Sequence, residues 1–221
     1  MKHQSIRELF AYWNDLRGER AAPERNDIDP NAIRHILADT FMLDIDVERN
    51  FPFRLAGTRV NALFATDQKG QSFLRRWRPE EAHNLGAILM TVADGACPVV
   101  AGAAAAPANQ RESAFELLFL PVRHEGRTHA RLLGMIKPAT TPTWLGAAPI
   151  GPLSLRSLRV IEGDQLVVAN GGKPETPRPR AANWRGIRNA IPRERPALTV
   201  IEGGAASGPR TPPPRERLKI L

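Results

Sequence analysis

The chain has 221 residues, 20 of them proline, and a formal charge of +8. Residues 1–170 hold 20 Lys+Arg against 19 Asp+Glu, whereas residues 171–221 hold 11 against 4, so nearly all the excess charge sits in a stretch that also carries nine of the prolines. No apolar run approaches the roughly 18–20 residues of a membrane span, the N-terminus has no apolar signal core, and the single Cys97 permits neither an internal disulfide nor a multi-cysteine metal site, which points to a cytoplasmic protein with a near-neutral folded part and a basic, Pro-rich extension.

Residues 5–17 place Ile6, Leu9, Phe10, Trp13 and Leu16 on one helix face, with Ser5 as cap and Gly18 as stop. After a polar stretch, Asp29-Pro30 opens a short helix whose face is Ile33, Ile36 and Leu37. From Thr40 the period becomes two. Residues 41–47 alternate as a half-buried strand, and Asn50 turns the chain into a second strand over residues 51–55, the two forming a hairpin. Residues 58–64 are helical, Gly70 breaks the chain, and residues 72–77 form another short turn. Pro79 starts a longer helix with Ala82, Leu85, Leu89 and Val92 as its buried stripe, ending at Gly95. Three extended runs follow at residues 97–105, 114–122 and 132–137, the last two joined by the polar turn His124-Glu125-Gly126-Arg127. Strand pairs cannot stand alone, so the expected fold is α+β, an antiparallel five-stranded sheet with helices on one face and an N-terminal helical extension.

The order of elements and several motifs resemble the PAS domain. Phe53-Arg54-Leu55-Ala56-Gly57-Thr58-Arg59-Val60-Asn61-Ala62-Leu63-Phe64 resembles the second strand and following helix of a PAS-like family common in alphaproteobacteria. Gly70-Gln71-Ser72-Phe73, then Trp77, the opening Leu9-Phe10-Ala11-Tyr12-Trp13 and Asp29-Pro30 extend the likeness. This divides the chain into a PAS-like domain with its N-terminal helix (1–140), a linker with one short extended segment (141–170) and a flexible basic tail (171–221).

Enzyme chemistry finds no support in these residues. No serine lies in a Gly-x-Ser-x-Gly elbow, and there is no phosphate loop or dinucleotide fingerprint. His3, His35, His83, His124 and His129 include no pair spaced three or four apart on one helix. Asp44, Asp46 and Glu48 make an acidic strand face with too few oxygens for a cation site. The resemblance raises bound cofactors. A haem ligand would come from the long helix, where His83 stands off the apolar stripe, and a flavin-bonding cysteine would precede the short helices, where Cys97 is not. No cofactor is therefore expected. Phe53, Phe64, Trp77 and Leu89 either line a cavity for a small apolar ligand or fill the core. The N-terminal helix of such proteins packs on the sheet or on a second copy, and Leu9, Phe10 and Trp13 are the expected homodimer contact.

In the tail, Leu158-Arg-Val-Ile-Glu-Gly recurs as Leu198-Thr-Val-Ile-Glu-Gly, a β-prone segment suited to adding a strand at a sheet edge. The first copy is the one expected to pack back on its own domain. Arg178, Arg180, Arg185, Arg188, Arg193 and Arg195 make a basic patch able to attract nucleic acid or an anionic surface by charge alone. The expected function is a non-catalytic cytoplasmic signalling protein that contacts other regulators, sensor histidine kinases or their relatives above all, with a ligand-binding sensor, and a nucleic-acid or anionic-surface binder acting through the tail, as the competing classes.

Overall fold

A computed structural model describes residues 1–161. Its elements, in chain order, are α1 (Gln4–Arg17), β1 (Thr40–Asp44), β2 (Phe53–Ala56), α2 (Thr58–Phe64), α3 (Pro79–Gly95), β3 (Val99–Ala105), β4 (Ser113–His124), β5 (Arg127–Pro138) and β6 (Ser154–Val160), with 3₁₀ turns at Arg25–Asp27, Leu37–Asp39 and Leu74–Arg76. The strands form one antiparallel sheet in the order β2-β1-β5-β4-β3-β6. The basic tail at residues 171–221 lies outside the described residues.

The sheet has six strands where five were expected. The extended segment within residues 141–170 is β6, which pairs along β3, so the first Leu-x-Val-Ile copy does return to its own domain. Residues read as linker also join the interior. Trp144, Ile150 and Leu153 are buried, and the Ile150 and Leu153 amides donate to the Leu63 and Arg76 carbonyls at 2.9 and 2.8 Å.

Nor are the helices confined to one face. Alternation along the strands sends Phe41, Leu43, Leu117 and Phe119 toward α2 and α3, and Met42, Leu118, Leu120 and Leu133 toward α1. Both sides are covered, and for that reason β4 reads as a nearly continuous apolar run. α1 lies on the second face, where the Trp13 Nε1–H donates to the Pro121 carbonyl at 2.8 Å. Its N-terminus is capped from a distance. The Lys2 and His3 amides donate to the Glu116 carboxylate of β4 at 2.8–2.9 Å, and no side chain at the cap residue, His3, takes that role, so Ser5 is not the cap. Gly18 stops the helix as expected, at φ +54°.

β1 and β2 pair antiparallel, but both are shorter than their alternation suggests. β1 ends at Asp44, and Val47 stands fully exposed in the loop. Asp46 and Glu48 bind Asn50 there, and Asp44 pairs with Arg131 at 2.8 Å, so the expected acidic strand face is divided among separate partners. A bulge pairs Met42 with Leu55 and Leu43 with Phe53, leaving Arg54 as the extra residue. The extra residue turns Leu55 away from the face that Phe53 occupies, toward Met42, and leaves it 51% exposed.

Between α1 and β1 the chain is held by short-range bonds. The Asp27 carboxylate accepts from the Glu24 amide at 3.0 Å and from Arg20 Nη2 at 2.7 Å. The Glu24 hydrogen bond, with Arg20 second, holds this carboxyl below its ordinary value. Its contribution is therefore full above the ordinary carboxylate pKa of about 4 and is lost as pH falls through the lower folded-state value. Asp27→Asn is expected to lower the urea midpoint at neutral pH, with a gap to wild type that narrows at pH about 3, below the ordinary carboxylate value. A gap of equal size at both pH values would contradict this.

Candidate functional site

The four residues expected at a ligand cavity come from different elements: Phe53 from β2, Phe64 from α2, Trp77 from the end of the third 3₁₀ turn and Leu89 from α3. The fold does bring them into one cluster, and none is more than 7% exposed. At its centre lies Phe73, whose ring meets those of Phe41, Phe53, Trp77 and Phe119 at centroid distances of 5.4–5.9 Å. These are stacked and edge-on contacts of favourable geometry, and side chains of this cluster occupy the helix-side interior.

The segment Gly70-Gln71-Ser72-Phe73 delivers that ring. The Gly70 amide donates to the Phe53 carbonyl at 2.8 Å, the Phe53 amide to the Gln71 carbonyl at 2.9 Å, and the Phe73 amide to the Phe51 carbonyl at 3.1 Å. Ser72 Oγ adds a bond to the Asn50 carbonyl at 2.7 Å. Gly70 has φ +77°, a conformation other residues adopt at a cost. The segment is laced along the outer side of β2, and Phe73 turns inward from it.

One polar atom in this interior lacks a partner. Trp77 is 2% exposed, and its Nε1–H has no hydrogen-bond acceptor. Leaving such a donor unpaired costs about 1–3 kcal/mol. Beside it in sequence, Arg76 lays its guanidinium over the Phe64 ring at 5.2 Å with Nε unbonded. Burial, and then the neighbouring Arg75 charge, push its pKa below the usual arginine range.

A charged cluster that the sequence did not announce lies at the junction of α2 with the sheet. Asp39 is 2% exposed and accepts from Arg59 Nη1 and Lys137 Nζ, each at 2.6 Å. Here Gly57 lets two backbones touch, since a Cβ on it would fall 2.2 Å from the Leu37 carbonyl oxygen. The run from Phe53 to Phe64 thus carries a bulge, a close approach and an ion-pair partner in succession. Asp39→Ala is expected to cost about 3 kcal/mol, because it strands two cations beside a buried site. Adding Lys137→Met should recover part of that loss in urea unfolding, and no recovery would mean that the pairing is not what stabilises this corner.

On the opposite face, an apolar pocket of about 250 Å³ opens beside β2, with Ile28, Ile33, Met42, Leu55 and Leu133 in its walls and Arg25 at its margin. Leu9, Phe10 and Trp13 are 0–2% exposed against their own sheet. They are not available to a second copy, and a homodimer would have to use other surface. His83 is exposed on α3. Cys97 is half-buried, its thiol 3.1 Å from the Gly95 carbonyl oxygen. Among the described residues, no group of three or more His, Cys, Asp or Glu could hold a metal ion, and no helix is long and apolar enough to cross a membrane.

A sequence model described as PAS domain matches residues 1–137. No curated protein and no solved structure matches the chain. The matched span ends in β5, so β6 lies beyond it. With well over half of its length inside that match, the chain belongs to the PAS domain family.

Proposed function

We propose that this protein is a non-catalytic signalling protein that works in the cytoplasm through contact with other regulators, sensor histidine kinases or their relatives foremost. PAS domains are sensing and signalling modules. The observation that favours contact over ligand capture is the helix-side interior, occupied by Phe41, Phe53, Phe73, Trp77 and Phe119 in mutual ring contact. The choice of partner class rests on the family resemblance. The basic tail would add charge-driven attraction to an acidic partner, a nucleic acid or an anionic surface.

The test is cross-linking and capture with the full chain as bait, against a Trp13→Glu bait as the misfolded control. Enrichment of histidine kinases or response regulators on the first bait alone is the expected result. Recovery of no signalling protein, with a small molecule bound one-to-one in the purified chain, would overturn it. The unpaired Trp77 Nε1–H favours that second reading, because a ligand acceptor would satisfy it. Mass spectrometry of material extracted from wild-type and Trp77→Phe protein decides between them.

A further inference from the structure

On the α1 side of the sheet, two coverings leave a gap between them. α1 lies over β4 and β5, and the β1–β2 end is left to the segment joining α1 to β1, which brings Ile28 and Ile33 to the wall of the pocket there. Leu55, Met42 and Leu133 stand opposite one another across β2, β1 and β5 and line the sheet side of that pocket. Leu55 joins this row because the bulge at Arg54 turns it there, and it stays 51% exposed. A leucine half in water beside a concave apolar site is surface that a bound apolar group would remove from solvent.

A cation without a partner stands at the same place. The carboxylates of its own segment are engaged elsewhere: Asp27 with Arg20 at 2.7 Å, Glu24 with Arg123 at 3.3 Å, and Asp29 with the Asn31 amide at 2.9 Å. Arg25, half-buried at the pocket, makes no ion pair and no side-chain hydrogen bond among the described residues. The 3₁₀ turn that carries it is held at both ends by the reciprocal bonds of Glu24 and Asp27, so its backbone is fixed beside the apolar walls.

The walls set the chemistry of an occupant. Among the described residues, the one other polar side chain lining the pocket is that of Thr40, and its hydroxyl donates to the Leu37 carbonyl at 2.9 Å. No carboxylate lines it. The unspent side-chain donor is therefore the Arg25 guanidinium, whose paired N–H groups match a carboxylate best. The cavity of about 250 Å³ equals about eight waters at about 30 Å³ each, room for a body of about eight carbons.

We infer that this pocket binds a small monocarboxylate with an alkyl or aryl body, the body lying against Ile33, Met42 and Leu55 and the carboxylate pairing with Arg25. A bound acid covers the exposed part of Leu55 and supplies the anion that Arg25 lacks, so one ligand answers both features. It also ties the segment after α1 to β2. The site is on the opposite side of the sheet from the Phe73 cluster. It goes beyond the signalling reading and does not depend on it.

Octanoate and its uncharged counterpart octanamide test this, each titrated into the full chain labelled with ¹³C at the methionine methyls. Met42 lines the pocket and Met90 packs against the helix-side core, so the two methyls report the two sides of the sheet. Octanoate should shift Met42, leave Met90 in place and bind about tenfold more tightly than octanamide. Arg25→Gln should erase that preference while octanamide still binds, and Leu55→Asp should weaken octanoate about tenfold. The acid–amide comparison in the unaltered chain stands whether or not either variant folds. Equal affinity for the two compounds, a Met90 shift in place of Met42's, or octanoate held by the basic tail with Met42 unmoved would overturn the inference. So would a Met42 shift that follows protein concentration without added ligand, because a second copy would then cover Leu55.

Discussion

Trp13→Glu is expected to abolish cooperative folding rather than to convert a dimer into a monomer. Trp13 is 2% exposed, meets the Phe10 ring at a tilt with centroids 5.8 Å apart, carries Arg17 over its ring at 5.5 Å and bonds the Pro121 carbonyl through Nε1. Truncating a buried tryptophan alone costs about 3–5 kcal/mol. The glutamate also places a carboxylate at a buried position in the cluster of Leu9, Leu118 and Leu120, a cost that Arg17 one helical turn on offsets only in part. Together these approach the whole stability of a domain of this size, about 5–15 kcal/mol. The variant should show no sharp thermal transition and should bind a hydrophobic dye. A folded variant whose midpoint lies within a few degrees of wild type, with only its oligomeric state changed, would show that α1 is not part of the core.

Phe73→Ala should produce the second large loss, about 3–5 kcal/mol. Four rings lose a neighbour at once, and Phe41 and Phe119 are held from the sheet side and cannot close the gap freely. The cavity left is apolar, so a small aromatic such as benzene should enter it and raise the midpoint of the variant without affecting wild type. A loss below about 1 kcal/mol would mean that the core collapses around the site and that Phe73 is not its centre.

These two residues differ in how far they could be read in advance. Phe10 and Trp13 announce a helix face through spacing alone, because a period of 3–4 with apolar residues needs only local geometry. What covers that face is a question about distant residues. Leu118 and Leu120 answer it, and a trace was present in the nearly continuous apolar run of β4, which no one-sided sheet requires. The helix face alone is equally suited to the sheet and to a second copy, and its spacing does not choose between them.

The bounds of α2 and α3, the β1–β2 and β4–β5 hairpins and the stop at Gly18 were all legible, since each is decided by residues within a few positions of one another. The convergence of Phe53, Phe64, Trp77 and Leu89 was legible too, as four apolar positions on elements sharing one side of a sheet. Phe73 as their centre was not, because its position follows from hydrogen bonds between Gly70, Gln71 and β2 that no periodicity expresses.

Tertiary structure alone decided the rest. Glu116 caps α1 from 113 residues away, and Asp39 gathers Arg59 and Lys137 from 20 and 98 residues along the chain. The bulge at Arg54 turns Leu55 to the other face by one uncounted residue. Local pattern determines which residues form an element and which of its faces is apolar, because those depend on backbone geometry repeated every two or 3.6 residues. Partners, registers and buried charges depend on which distant segments meet, and in this chain only the folded sheet brings them together.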